Sequence, residues 1–218
     1  MNFKYFFFSL FLIVTFSGIS FPQQSKLSKG VNYISGFIAG NYFKNLKSTN
    51  NDLALADSIF LRAVKFYDND IDEALLALTF AYVPYRKIPI VLPLIKVIVY
   101  YPLISADDST YKLKNQNLPK YFFYDTPNNN YGDKDKLAHF FGSAYISYAS
   151  NIFDLSNLIG YFVENFEETF KVQSSIDDRD LRTNKLGNIF GKTLKKNKNA
   201  LPSQFLIIPA TSNFYFNF

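Results

Sequence analysis

The residue types that could do chemistry gather in one stretch, which begins at Asp133 and contains His139, the only histidine. Asp135 and His139 are four residues apart, so on a helix they share a face and can hydrogen-bond or bind one ligand. A carboxylate that orients an imidazole is typical of a general base or of a metal-binding histidine. The structural alternative is an acidic helix start followed by one buried histidine.

The next polar residues belong to a predicted helix from about residue 158 to 172. It carries Glu164, Glu167 and Glu168 among apolar residues. Glu164 shares a helix face with each of the other two glutamates, so the spacing leaves open which of them accompanies His139. The alternative to a place in the site is a position on the solvated face of the helix, which we expect for at least one of the three glutamates.

A last predicted helix places four residues on one straight stripe, in the order Asp180, Asn184, Gly187 and Gly191. The two glycines would let another backbone approach the polar side chains closely. Three helices could therefore converge on one site. The predicted polar site comprises Asp135, Lys136, His139, Glu164, Glu168, Asp180 and Asn184, with Gly187 and Gly191 as helix-packing glycines.

Burial would force these groups to pair, because an unpaired buried charge costs roughly several kcal/mol. Their partners would be one another, Lys136, Arg179 or an ion. One histidine with two or three carboxylates could hold a hard or borderline divalent metal, but the spacing matches no standard zinc motif. The sequence therefore predicts no metal and no other cofactor. It also lacks a recognisable nucleophile elbow, which leaves open whether the protein is an enzyme.

The chain has 218 residues, of which 48% are hydrophobic and 19% aromatic. That composition suits one folded domain and excludes a disordered chain. The absence of cysteine excludes disulfides, thiolate metal sites and a cysteine nucleophile. The net charge is +5, but only 19% of residues are charged, so we expect no nucleic-acid partner.

Residues 1–20 resemble a signal peptide, with Lys4 before an apolar run and small residues at Gly18 and Ser20. An uncleaved anchor helix is the alternative, since the apolar run approaches the length needed to span a bilayer. The pattern favours export, with the protein in the periplasm or cell envelope and associated with a membrane.

The remainder is predicted to be an all-α, compact helical bundle. Residues 21–130 form a helical N-terminal region, in which the apolar, proline-containing segment 88–103 is buried or lies at a membrane interface, because its prolines and Lys96 disfavour a spanning helix. Residues 104–130 are expected to be a loop. Residues 131–198 form a three-helix unit, and residues 199–218 an irregular aromatic C-terminal tail.

Two motifs carry a family resemblance: Asp135-Lys136-x-x-His139-Phe140, and Asp180-Leu181-x-x-Asn184-x-x-Gly187-x-x-x-Gly191, with a glutamate-bearing helix between them. Over residues 133–194 the chain resembles the YfiM-type family of bacterial envelope proteins of unknown function and, more distantly, VanZ-like membrane proteins. The resemblance implies a compact helical unit in or at a membrane and no established reaction. This chain lacks the cysteine that would carry a lipid anchor.

The functional expectation is a structural or binding protein of the envelope whose polar site fixes helix packing or binds lipid or a partner protein. Membrane lipids are the expected partners. The alternative is a hydrolase acting on an envelope lipid or a cell-wall component. There His139 would be the base, Asp135 would orient it, and Glu164 or Glu168 with Asp180 would be further acids or metal ligands.

Overall fold

The computed structural model describes residues 24–91, 97–149 and 178–211. Within these ranges the chain is mostly helical, which confirms the all-α prediction in outline. The predicted signal peptide, the glutamate-bearing helix and the aromatic residues 214–218 lie outside the described residues. In the described ranges, no helix combines the length and the apolar character needed to cross a membrane.

Four helices form the N-terminal part of the bundle. Three of these helices follow a capping residue whose side chain accepts a hydrogen bond from a backbone N–H group of the first turn. The capping residues are Ser25, Asn51 and Asp70. The helices are α1 (Lys26–Ala39), α2 (Asn41–Thr49), α3 (Asp52–Phe66) and α4 (Ile71–Tyr82).

Residues of the apolar segment 88–103 pair as two antiparallel strands, β1 at Lys87–Val91 and β2 at Ile98–Pro102, which we call the hairpin. Prolines and β-branched residues disfavour a helix here and suit a short two-stranded ribbon. All five residues of β2 are exposed to solvent, so of the two alternatives for this segment, burial and a position at a membrane interface, burial is wrong for β2. The fold therefore adds a small sheet to the helices.

Residues 104–130 are not a loop throughout, because α5 spans Asp108–Asn117. Asp107 caps this helix by accepting hydrogen bonds from the backbone N–H groups of Ser109 and Thr110, and the hydroxyl of Ser109 donates to the same carboxylate. These bonds hold the pKa of Asp107 well below its usual range. Sequence reasoning missed α5 because its residues are polar nearly all round.

The C-terminal part contains α6 (Lys136–Ala149), α7 (Asp178–Leu194) and α8 (Pro202–Thr211). The expected irregular tail 199–218 thus contains a helix, from Pro202 to Thr211. Proline suits the first position of a helix, where its missing N–H is not needed. The tail is attached to α3 by a hydrogen bond of 2.8 Å from the Ser203 N–H to Asp57 Oδ1.

One hydrophobic core runs across the predicted boundary between 21–130 and 131–198. Phe141 of α6 stacks on Phe60 of α3 and on Tyr82 of α4, with ring centroids 6.3 Å and 5.3 Å apart. Phe190 of α7 meets Phe60 edge-on at 5.4 Å and stacks on Phe140 at 5.1 Å. This shared core holds α6 and α7 in place.

The core also contains a buried lysine, Lys114, whose ammonium donates hydrogen bonds of 2.9 Å to the carbonyl oxygens of Ala81 and Val83. These carbonyls lie at the C-terminal end of α4, where a cation is favourable. The ammonium also lies 5.0 Å from the ring centroid of Tyr111. Burial lowers the pKa of Lys114 to about 7.

Lys114 should make the stability of the protein depend on pH. The unfolded lysine keeps its proton up to its ordinary pKa of 10.5, whereas the folded lysine releases it above about pH 7. The unfolded state then binds more protons, so the free energy of unfolding should rise by about 2 kcal/mol from about pH 7 to about pH 9. Urea denaturation at several pH values measures this. Lys114→Met should remove the rise, and an unchanged pH slope in that variant would contradict the assignment.

Candidate functional site

The site is formed where α6 and α7 pack backbone against backbone. A Cβ atom at Gly187 would overlap the carbonyl oxygen of Phe140, and one at Gly191 would overlap the carbonyl oxygen of Ala144. Only glycine permits this approach at these two positions. The same stripe of α7 carries Asp180 and Asn184, so the close approach brings their side chains to the polar residues of α6.

A lysine ammonium bridges the two helices at the centre of the cluster. Lys136 Nζ donates to Asp180 Oδ1 at 2.6 Å and lies 3.2 Å from Asp135 Oδ2. The imidazole of His139 is beside them, with Nε2 3.5 Å from Asp180 Oδ1. The side chains of Lys136 and His139 are buried, and those of Asp135 and Asp180 are each 14% exposed. The cluster is thus mostly shielded, with its carboxylates nearest to solvent.

Neutral hydrogen bonds extend the contact along the helices. Ser143 Oγ donates to Asn184 Oδ1 at 3.0 Å, and the side chains of Asn184 and His139 hydrogen-bond each other. One turn further on, Ser147 Oγ donates to the carbonyl oxygen of Asn188 at 3.0 Å. The orientation of the imidazole is therefore set from α7.

A second ion pair closes the N-terminal end of the two helices. Asp133 is completely buried, and Arg179 Nη1 donates to its Oδ1 at 2.9 Å. Its other oxygen accepts from the backbone N–H of Phe122 at 3.3 Å and from the hydroxyl of Thr126. Burial raises the pKa of Asp133, and these hydrogen bonds and Arg179 oppose that rise. Sequence analysis treated Asp133 only as an acidic helix start, because its ion-pair partner Arg179 lies 46 residues further along the chain.

The electrostatics of the cluster favour a neutral histidine. Burial lowers the pKa of His139 from 6.5, and the charges of Asp180 and Asp135 offset part of this effect. Two carboxylates face one ammonium, so the cluster formed by Asp135, Asp180, Lys136 and neutral His139 has a formal charge of −1. A neutral imidazole beside carboxylates can accept a proton or bind a metal ion.

Two tyrosines that sequence analysis did not select also belong to this region. Burial raises the pKa of Tyr85, with smaller contributions from Tyr131 and from the charges of Asp135 and Asp180. Burial and the same two carboxylates raise the pKa of Tyr131. Both phenols therefore stay protonated at neutral pH and lie within the electrostatic reach of the carboxylates. They sit in connecting segments, where no periodic pattern could have identified them.

The structure brings together most of the residues selected from the sequence. The convergent residues are Asp135, Lys136, His139, Asp180, Asn184, Gly187 and Gly191. Glu164, Glu167 and Glu168 lie outside the described residues, so their part in the site stays a prediction. Among the described residues, the set that could hold a metal ion is Asp135, His139 and Asp180.

Comparison with known proteins adds no relative. No protein-family model, no curated protein and no solved structure shows a significant match to this chain.

Proposed function

We propose that this protein is an exported, membrane-associated component of the cell envelope that acts by binding rather than by catalysis. The polar cluster joins α6 and α7, and the apolar hairpin formed by β1 and β2 contacts the surface of a lipid bilayer. The observation that carries the proposal is the exposure of the apolar strand β2.

The exposed hairpin is unusual for a surface that faces only water. Tyr100 and Tyr101 are 64% and 57% exposed, and Ile98 and Val99 are 52% and 44% exposed. Successive residues of a strand point to opposite faces, so both faces of β2 present large apolar side chains. A contiguous exposed apolar patch usually marks a binding surface.

The charges around the hairpin favour a bilayer as the partner. Lys87 at the start of β1 is exposed, and Arg86, which precedes the hairpin, pairs with Asp108. Basic residues next to apolar ones are attracted to anionic lipid headgroups, and tyrosine prefers the interface between water and hydrocarbon. A two-stranded ribbon leaves backbone groups unpaired at its edges, which would be costly inside hydrocarbon. We therefore place the hairpin in the interface and not across the membrane.

The polar cluster suits a structural role better than a hydrolytic one. Its ammonium bridges carboxylates from both partners of the helix pair, which compensates their burial. The hydroxyl of Ser143, the serine one turn after His139, donates to Asn184 and not to the imidazole. That hydroxyl is therefore not activated as a nucleophile.

Vesicle co-sedimentation of the full chain tests this function. We expect binding to vesicles that contain anionic lipid, with weaker binding to purely zwitterionic vesicles and at high salt. A Tyr100→Ser/Tyr101→Ser variant should bind about tenfold or more weakly, because two exposed aromatic anchors are lost. The matched control is Tyr42→Ser on α2, where the tyrosine is 68% exposed.

Two outcomes would overturn the lipid proposal. The first is equal vesicle binding by the hairpin variant, the control and the unchanged chain. In the second, the unchanged chain binds neither kind of vesicle but associates with itself, and the hairpin variant does not self-associate. That result would make a second copy of the chain the partner. Circular dichroism should show the same helix content in both variants, since all three tyrosines are exposed.

A hydrolase is the second candidate, favoured by the 3.5 Å separation between His139 Nε2 and Asp180 Oδ1. A base held by a carboxylate in this way could activate water against an envelope lipid. Mass spectrometry of envelope phospholipid incubated with the protein would detect released fatty acid or headgroup. Product formation that His139→Gln abolishes without loss of folding would establish the enzyme and remove the binding-only function.

A further inference from the structure

We propose that Asp135, His139 and Asp180 form a binding site for a divalent transition-metal ion, for which Lys136 is an internal competitor. This inference goes beyond the proposed function and does not depend on it. Each of the three residues offers one ligand atom, and these atoms all lie within 4.8 Å of one another. Two of the ligands come from α6 or its N-terminal end, and the third comes from α7.

The distances are close to those of a metal centre. Nitrogen and oxygen ligands about 2.0–2.2 Å from a tetrahedral zinc ion lie about 3.3–3.6 Å from each other. His139 Nε2 and Asp180 Oδ1 are 3.5 Å apart, so this pair has the required spacing. The longest separation in the set, at most 4.8 Å, requires a contraction of about 1.5 Å or less. A rotation of the Asp135 carboxylate can provide it, since that residue precedes the first turn of α6.

Two independent features of the surroundings support a site built for a ligand. Asp135 Oδ1 is buried and accepts no hydrogen bond from the described residues. The imidazole of His139 is oriented by Asn184, whose Oδ1 accepts from Ser143 Oγ at 3.0 Å. Metal-binding histidines are typically held by such a hydrogen bond, which fixes the ring for coordination.

The charge of the cluster explains the competition with Lys136. The ammonium lies 2.6 Å from Asp180 Oδ1 and 3.2 Å from Asp135 Oδ2, so it contacts both carboxylates that would bind the ion. A divalent cation and an ammonium repel each other at this range. Binding of the ion therefore requires the flexible lysine side chain to move away, and the lysine lowers the affinity of the site.

The donor set selects the kind of ion. Two carboxylate oxygens and one imidazole nitrogen suit the borderline ion Zn²⁺ and the harder Mn²⁺, whereas Ca²⁺ prefers oxygen ligands alone and Mg²⁺ keeps several waters. Three protein ligands leave at least one position for water or another ligand, unlike the closed four-ligand sets of structural zinc sites.

The test uses the full chain, freed of metal by a chelator, and isothermal titration with Zn²⁺ or Mn²⁺. Asp180→Asn should weaken binding at least about tenfold, because it removes a charged ligand. Lys136→Met should tighten binding by about tenfold or more, because it removes the competing charge. Asp125→Asn is the matched control. The carboxylate of Asp125 pairs with Arg182, which lies on α7 as Asp180 does, but the pair is outside the cluster. This variant should bind the ion with unchanged affinity.

A spectroscopic measurement on the unchanged chain covers the case in which a variant does not fold. Bound Mn²⁺ should show magnetic coupling to one imidazole nitrogen in pulsed electron paramagnetic resonance, since the chain contains only one histidine. Absence of that coupling would overturn the site. So would equal affinities in Asp180→Asn and Asp125→Asn, or a Lys136→Met variant that folds and binds no more tightly. Vesicle binding is measured separately and decides nothing here, so the two proposals can fail independently.

Discussion

Replacing Gly187 with alanine is expected to lower the free energy of unfolding by about 3 kcal/mol or more, one of the largest effects of any single methyl group in this protein. The added Cβ would overlap the carbonyl oxygen, carbonyl carbon and Cα of Phe140. These are backbone atoms, so no side-chain rotation relieves the overlap. The two helices must separate, which also loosens the contacts of Phe140 and Phe190.

The matched control for this change is Gly36→Ala on α1. No heavy atom lies within 4 Å of a Cβ built at Gly36, and the residue is inside a helix. Alanine there should stabilise the protein by about 0.5–1 kcal/mol, because glycine loses more conformational entropy when the helix forms. Urea denaturation followed by circular dichroism measures both variants. Equal stabilities for the two alanine variants would show that α6 and α7 do not pack this closely.

Replacing Asp133 with alanine is expected to cost about 3–5 kcal/mol of unfolding free energy. The side chain is completely buried, and its removal would take away the carboxylate that accepts hydrogen bonds from the guanidinium of Arg179, the hydroxyl of Thr126 and the N–H of Phe122. The penalty comes mainly from the loss of this acceptor in a buried site and not from the lost attraction itself.

The comparison for Asp133 is Asp125→Ala, which breaks another arginine–aspartate pair at α7. Both side chains of the Asp125–Arg182 pair are 35% exposed, so water can replace the lost partner. This variant should cost less than about 1 kcal/mol. Denaturation midpoints of the two variants should differ clearly, and similar midpoints would mean that Asp133 is not buried with its partners.

Local patterns predicted the helices well because helix formation depends on residues close in the chain. The apolar period around α3, the acidic first turn of α4 and the spacing of Asp180, Asn184, Gly187 and Gly191 are all local properties. Apolar periodicity could not reveal α5, which is stabilised by its capping aspartate and by the buried hydrogen bonds of Lys114. The signal peptide, the envelope location and the family resemblance stay predictions.

Sequence spacing was enough to show which residues share a helix face, because 3.6 residues per turn place positions three and four apart on one side. It thereby selected Asp135 with His139, and Asp180 with Asn184. The folded structure was needed to show that these two faces meet, that Lys136 lies between their carboxylates, and that Asp133 is buried with Arg179. Such contacts join residues more than forty positions apart, and they depend on how the shared core seats α6 against α7, which no local pattern encodes.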